Sequence, residues 1–173
     1  MTAIAQDETT MAQVQEETNL ERLLGAVAAA MRRDVVLVAA DMPAERAVHR
    51  LESKAVSGAP VVDRGRVVGV ITLRDLLVPT LLDDPGSSPS GHSRYGRRLA
   101  TLRVHDLMSD DPVTAQPDWS LVRAMQTMVG RGVNRLPVVD GQGRPLGLLT
   151  RDDVLRTLVE RAQPRPAPQE AGA

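Results

Sequence analysis

The pattern of apolar and polar positions along the chain occurs twice. Residues 31–77 align with residues 108–155 at an offset of 77 positions, which becomes 78 after one insertion. In this alignment A-P-V-V-D (59–63) lies over L-P-V-V-D (136–140), and G-V-I-T-L-R-D lies over G-L-L-T-R-D-D. Self-similarity of this length indicates a duplicated small domain. Because two copies are too few for a solenoid, we expect two halves that face each other about a pseudo-twofold axis.

Each copy contains the same order of predicted elements. A short apolar run, Val35 to Val38 in copy one and Pro112 to Ala115 in copy two, predicts a first strand. Apolar residues then recur at helical spacing, with Asp41 as the predicted N-cap in copy one. Two strands follow, and a second helix begins after the threonine that ends the last strand. The predicted fold class is therefore α/β (α+β), with two tandem β-α-β-β-α repeats and an N-terminal helix.

The segments outside the repeats divide the chain into five regions. Residues 1–18 are predicted as a disordered acidic tail and residues 162–173 as a disordered Pro/Ala tail, because neither composition provides an apolar face. Residues 19–79 comprise copy one and a preceding helix that we expect to pack on it. Residues 80–103 are rich in Pro, Gly, Ser and Arg, which predicts a flexible linker. Residues 104–161 contain copy two.

Composition and charge narrow the function classes. The chain has 173 residues, 21 basic and 22 acidic side chains, a formal net charge of -1, no cysteine, and only Tyr95 and Trp119 as aromatic residues. These values exclude disulfides, thiolate metal sites and a cysteine nucleophile, and they give no general attraction to nucleic acid or anionic lipid. The first residues lack the features of a secretory signal, and no apolar run approaches the ~20 residues of a bilayer span. The cytoplasm is the expected location, without a membrane partner.

The sharpest chemical motif is G-h-h-T-x-x-D, in which h is apolar. It ends with Thr72 and Asp75 in copy one and with Thr150 and Asp153 in copy two. The threonine ends a strand and opens a helix, so its hydroxyl and the first helical N–H groups point to a place where the helix dipole favours an anion. A carboxylate three residues later can accept hydrogen bonds from two ribose hydroxyls. The same spacing is typical of a capping box, so a purely structural cap is the alternative.

With these segments assembled, residues 31–79 and 104–160 resemble the cystathionine beta-synthase (CBS) domain, and the pair is similar to the tandem CBS or Bateman module. The resemblance is carried by V-H-D-L-M before copy two, the two P-V-V-D segments and the two G-h-h-T-x-x-D motifs. It implies clefts between the copies that bind adenosine-containing ligands such as AMP, ADP, ATP, S-adenosylmethionine or NAD(H). It also implies a homodimer of such pairs.

The resemblance further implies roles for individual residues. The aspartate of the motif would hold the ribose, the threonine would approach the ribose or phosphate, and apolar residues of the first strand and the helix-to-strand turn would line the base. The nucleotide-binding residues predicted in this way are Thr72, Asp75, Thr150, Asp153, Val36, Val56, Ser57, Gly58, Ala59, Val113, Val133, Asn134 and Arg135. Only copy two has an arginine in the turn, Arg135, which predicts that the two sites differ in phosphate preference.

The predicted function is therefore that of a stand-alone regulatory module. It would bind an adenosyl ligand between the copies and signal to an unidentified partner protein through a population shift. The competing hypothesis is a structural dimerisation module that keeps the motif as a helix cap and binds no ligand. A nucleic-acid-binding role is the third and weakest hypothesis.

Other residues that suggest chemistry have simpler interpretations. The histidines lack metal spacing and no acid, base and nucleophile converge, so we predict neither an enzyme nor a metal site nor a required cofactor; they are His49, His92 and His105. The arginines within residues 94–98 flank Tyr95 and would suit nucleic acid, but the cluster is short, so a solvated loop or a contact with a partner protein is favoured. Trp119 is predicted to pack in the core or an interface.

Overall fold

The computed structural model describes residues 19–81, 99 and 101–162. The predicted N-terminal tail, the arginine-rich part of the linker with His92, and nearly all of the predicted C-terminal tail lie outside the described residues. Residues 19–24 are helical. The other elements, in chain order, are α1 (Val27–Ala30), β1 (Val38–Ala39), α2 (Ala44–Ser53), β2 (Gly58–Asp63), β3 (Arg66–Thr72), α3 (Leu73–Leu81), a 3-10 turn (Val104–Asp106), β4 (Ser109–Asp110), α4 (Leu121–Arg131), β5 (Arg135–Val139), β6 (Pro145–Thr150) and α5 (Arg151–Ala162).

The predicted fold class is confirmed, because both copies contain a helix, two antiparallel strands and a second helix in the predicted order. In copy one, β1 is parallel to β2 through Val38 and Val61, and β2 is antiparallel to β3. In copy two, β5 is antiparallel to β6, and the predicted first strand is reduced to a parallel bridge between Ala115 and Val138. The first strand of copy one is also shorter than predicted, since the residues before Val38 leave the sheet.

The start of helix α2 differs from the prediction. Asp41 is not its N-cap, because the helix begins at Ala44 and Pro43 occupies the capping position without a side-chain hydrogen bond. The N–H of Ala44 instead donates to the carbonyl oxygen of Leu102 at 2.9 Å. The segment that precedes copy two therefore caps a helix of copy one.

The segments that lead into the two copies cross to the opposite sheet. Strand β4 is antiparallel to β3, with Gly69 opposite Asp110. The equivalent segment before copy one bridges Arg32 to Leu148 in β6, with two backbone hydrogen bonds of 2.9 Å. This exchange joins the two copies through their backbones.

Glycine is required where these crossings occur. A Cβ atom on Gly69 would lie 2.5 Å from the sulfur of Met108, and one on Gly147 would lie 2.8 Å from the sulfur of Met31. Both distances are shorter than real Cβ contacts. The glycine that opens each G-h-h-T-x-x-D motif therefore leaves space for the methionine of the crossing segment.

The described residues form two aliphatic cores, one for each copy. The expectation that the N-terminal helix packs on copy one was wrong, since Leu24, Val27 and Met31 belong to the core of copy two. The direction of the N-terminal helical segment is fixed by backbone hydrogen bonds, including one of 2.9 Å from the Val27 N–H to the Trp119 carbonyl oxygen. Val104, which precedes copy two, packs in turn within the core of copy one. Among the described helices, none is long and apolar enough to cross a membrane.

Candidate functional site

A cleft of about 470 Å³ lies between the two copies. Its volume falls within the range of roughly 300–1,000 Å³ that is usual for small-molecule sites. Copy one and its lead-in contribute one side, formed by Arg32, Asp34, Val35, Val36, Ala55, Val56, Ser57 and Gly58. Copy two contributes the other side, formed by Asn134, Arg135, Leu148, Thr150, Arg151 and Asp152. A ligand in this cleft would contact both copies at once.

The apolar side of the cleft comes from two segments of copy one. Val35 and Val36 lie between the crossing segment and β1, and Val56 lies in the turn after α2. Val36 and Val56 also pack against the core of copy one, which fixes the position of this wall. These aliphatic side chains offer a flat base an apolar surface without aromatic stacking.

The polar side of the cleft is built where β6 ends and α5 begins. Thr150 is the last residue of β6, and the N–H of Arg151 donates to the Asn134 carbonyl oxygen at 3.0 Å. In the other copy the N–H of Leu73 donates to the Ser57 carbonyl oxygen, also at 3.0 Å. Each helix-to-strand turn is thus fastened to the start of the last helix of its own copy.

The G-h-h-T-x-x-D motif forms a capping box in both copies. The N–H of Thr72 donates to Asp75 Oδ2 at 2.8 Å, and the N–H of Asp75 donates weakly to Thr72 Oγ1 at 3.4 Å. The corresponding distances for Thr150 and Asp153 are 3.0 Å and 3.3 Å. The structural cap is therefore present, and these helix starts offer an anion fewer free N–H groups than the sequence suggested.

The two motif aspartates differ in their surroundings. Asp153 is only 2% exposed, and its Oδ1 accepts hydrogen bonds from Arg32 Nε at 2.8 Å and Arg156 Nη1 at 3.5 Å. Asp75 is half-buried, and within the described part of the chain no donor contacts its Oδ1. The sequence explains this difference, because Ser109 aligns with Arg32 and has no cationic group.

The charge state of Asp153 reflects opposing effects. Burial raises the pKa of the Asp153 carboxyl, but the hydrogen bonds donated by Thr150 and Arg32, together with the charge of Arg32, outweigh it. The resulting pKa lies below the ordinary value of an aspartate. Asp153 therefore stays ionised, as a buried carboxylate with charge-assisted partners can.

Arg135 crosses from copy two to the turn of copy one. Its Nη2 donates to Ser57 Oγ at 3.1 Å, and its Nη1 fills the space in which a Cβ of Gly58 would lie. Burial lowers the pKa of the Arg135 guanidinium, while the nearby Asp75 carboxylate raises it. Arg135 thus joins the wall of the cleft to the surroundings of the motif in copy one.

The structure brings together about half of the predicted site residues in this cleft. Those that line it are Val36, Val56, Ser57, Gly58, Asn134, Arg135 and Thr150. Asp153 lies behind Arg32, Ala59 is buried in the core of copy one, and Val113 and Val133 pack against the core of copy two. Thr72 and Asp75 lie at the equivalent position of the other copy.

Sequence reasoning missed other residues of the cleft wall. They are Arg32, Asp34, Val35, Ala55, Leu148, Arg151 and Asp152. A signal for one of them existed, since Arg32 follows Met31, a landmark of the internal alignment. Its side chain could not be assigned to the cleft without knowing that this segment crosses to β6.

The remaining candidates lie outside the cleft. Trp119 packs against the core of copy two and lies under the guanidinium of Arg123, 3.8 Å from the ring centroid. His49 is exposed, and His105 Nδ1 lies 3.1 Å from the Ala40 carbonyl oxygen. The described residues contain no group of three or more His, Asp or Glu side chains able to hold a metal ion.

Two α/β copies that exchange their lead-in segments and enclose a ligand-sized cleft define a class of duplicated binding modules. The family model of the CBS domain matches residues 25–78 and 104–160, which is more than half of the chain. The chain therefore belongs to the CBS domain family.

Individual relatives agree with this assignment. A CBS domain-containing protein of Dictyostelium discoideum is 31% identical over 137 residues, covering 79% of this chain and 92% of that protein. Inosine-5'-monophosphate dehydrogenase of Methanocaldococcus jannaschii is 31% identical over 141 residues, but this match covers 81% of the chain and only 24% of that enzyme. The Arabidopsis thaliana CBS-pair protein CBSX2, solved in complex with AMP, has a TM-score of 0.65 and 27% identity, covering 80% of this chain and 98% of that chain.

Proposed function

We propose that the protein is a regulatory CBS pair that binds an adenosine-containing ligand in the cleft between its two copies. The observation that carries this proposal is the cleft itself, because its two sides come from different copies. A ligand there favours one relative orientation of the copies, and a partner protein can respond to that orientation. The complex of CBSX2 with AMP supports this ligand class.

The chemistry of the cleft suits a nucleotide. The wall formed by Val35, Val36 and Val56 accepts the adenine ring, and Arg135 on the other side provides donors for phosphate. Thr150 also lines the cleft, and its hydroxyl donates to Asp153 Oδ2. AMP, ADP and ATP are therefore the first candidates, with S-adenosylmethionine and NAD as further members of the same class.

A second site is proposed around the motif of copy one. Asp75 keeps one carboxylate oxygen without a donor among the described residues, so it can accept hydrogen bonds from ribose hydroxyls. Thr72, Val113 and Val133 would complete this site with Asn134. The proposal also includes a homodimer and a regulated partner protein, and it assigns neither catalysis nor a required cofactor to the chain.

A thermal-shift panel with AMP, ADP, ATP, NADH and S-adenosylmethionine tests this function. A ligand at 100 times its Kd adds about 2.7 kcal/mol of stability, which raises the Tm measurably. Val35→Glu places a charge in the apolar wall at a residue outside both cores, so it should abolish the shift. Val129→Glu is the matched control, because Val129 is 79% exposed and outside the cleft.

The alternative function is a structural dimerisation module without a ligand. The capping boxes favour it, since they account for the threonine and aspartate of both motifs by helix capping alone. No Tm shift with any compound of the panel would overturn ligand binding and leave this alternative. An equal shift in wild type and in Val35→Glu would remove the cleft from the proposed function.

A further inference from the structure

Arg32 lines the cleft, and hydrogen bonds to copy two fix both its backbone and its guanidinium. Its backbone is fixed by two hydrogen bonds of 2.9 Å to Leu148, and its Nε donates to Asp153 Oδ1 at 2.8 Å. Its side chain is nevertheless 51% exposed and lines the cleft. Within the described residues no acceptor contacts either Nη atom, so two pairs of N–H donors remain for a ligand.

The Asp153 carboxylate, which binds Arg32, has no comparable capacity for hydrogen bonds to a ligand. Asp153 Oδ2 accepts hydrogen bonds from the N–H and the hydroxyl of Thr150, and Oδ1 accepts from Arg32 and Arg156. Asp153 is also only 2% exposed. A ribose could reach this carboxylate only by displacing Arg32, which would leave a buried charge with weaker pairing.

We infer that this cleft recognises the phosphate of its ligand through Arg32, and that Asp153 is a positioning residue for Arg32 and not a ribose acceptor. The inference rests on the proposed function and names its substrate class, a phosphorylated nucleotide as opposed to a nucleoside or a cationic adenosyl compound. An arginine anchored through Nε presents its two Nη groups as a fork, and this geometry matches two phosphate oxygens.

The other charges around the cleft are consistent with an anion. Arg135 and Arg151 also line it, and Arg135 Nη2 donates to Ser57 Oγ. The acidic side chains on the wall are Asp34 and Asp152, and both are exposed to solvent, which screens them. In copy two the residue equivalent to Arg32 is Ser109, so the second proposed site lacks this group and keeps Asp75 for ribose.

Isothermal titration of AMP and adenosine into wild type and Arg32→Ser tests the inference. Serine is the residue that copy two has at this position. AMP affinity should fall about tenfold or more, as expected for loss of a charge-assisted contact, while adenosine affinity stays unchanged. Arg33→Ser is the matched control, because Arg33 is an exposed neighbour outside the cleft that makes no described ion pair. Arg32→Lys keeps the charge without the fork and should retain part of the AMP preference.

The outcomes separate the inference from the proposed function. A selective loss of adenosine affinity in Asp153→Asn, with Arg32 intact, would overturn the inference, since it would mean that the ribose binds Asp153. An unchanged ratio of AMP to adenosine affinity in Arg32→Ser would overturn it as well. Inorganic pyrophosphate provides a probe without a nucleoside. If wild type binds pyrophosphate and Arg32→Ser does not, while no adenosine compound binds, the anion site stands and the proposed function fails; if nothing binds, both fail.

Discussion

Gly58 and Arg135 occupy equivalent positions in the two copies, and they contact each other where the copies meet. The guanidinium of Arg135 lies in the space left by the missing side chain of Gly58 and donates to the neighbouring Ser57. One sequence difference between otherwise similar turns thus places a cation of copy two in the turn of copy one. The two turns differ in size as well as in charge, because the Arg135 side chain fits against the turn of copy one only if residue 58 is small.

Gly58→Ala should therefore destabilise the protein. The new Cβ would overlap Arg135 Nη1 and lie 2.6 Å from the Ile71 carbonyl oxygen, which cannot move without disturbing β3. Overpacking of this kind costs about 1–3 kcal/mol, measurable by urea denaturation. Gly130→Ala is the control, since its Cβ would meet nothing within 4 Å. Equal stability of Gly58→Ala and wild type would show that the turn can open without loss.

A second prediction concerns the glycines at the crossings. Gly147→Ala would bring a Cβ to 2.7 Å from the Arg32 carbonyl oxygen, and Gly69→Ala would bring one to 2.9 Å from the Ser109 carbonyl oxygen. Both variants should lose about 1–3 kcal/mol of stability. At a temperature where both remain folded, Gly147→Ala should weaken AMP binding more than Gly69→Ala does, because only Gly147 contacts the backbone that carries Arg32. A similar loss of AMP affinity in both variants would contradict this division.

The ionised state of Asp153 predicts a dependence of stability on pH. Because its pKa is depressed in the folded protein, its contribution is present above the ordinary aspartate pKa of about 3.9 and is lost as the pH falls through the folded-state value. Asp153→Asn lacks this contribution, so its stability difference from wild type should shrink below about pH 4. Urea denaturation between neutral and acidic pH measures the difference.

Asp140→Asn serves as the control for the acid measurement. The hydrogen bond from the backbone N–H of Arg144 is the main cause that lowers the pKa of Asp140, with further hydrogen bonds from the Arg144 side chain and Gln142. Asp140→Asn should remove only the contribution of Asp140 to the pH dependence of the free energy of unfolding. The contribution of Asp153 to that pH dependence should remain. If the free energies of unfolding of wild type and Asp153→Asn differ by the same amount at every acidic pH, the lowered pKa assigned to Asp153 in the folded protein is wrong.

Much of the fold followed from the sequence because the duplication supplied two versions of each element. The last strand of each copy was predicted to end at the motif threonine, and in the structure both last helices begin directly after it. These elements are specified locally, by alternating apolar residues and by the capping box. The capping box, which was the alternative interpretation of the motif, forms in both copies.

The errors concern contacts between the copies, which local patterns do not specify. Asp41 has the side chain of a good N-cap, yet the carbonyl of Leu102 provides the hydrogen bond from a distant segment. The role of Arg32 was missed for a related reason, since only the crossing of its segment to β6 brings it beside Asp153. Internal sequence comparison aligns the two copies but contains no information on which sheet a lead-in segment joins.

The crossing of the N-terminal helix leads to a last prediction about Leu24 and its neighbour Leu23. Leu24 is 1% exposed within the core of copy two, whereas Leu23 is 46% exposed. Leu24→Ala should lose about 2–5 kcal/mol of stability, as expected for a buried leucine, and Leu23→Ala should change it little. In native-state hydrogen exchange the Leu24 variant should lose protection first in β5 and β6, because their core loses the side chain. Earlier loss of protection in β2 would indicate that the helix stabilises copy one instead.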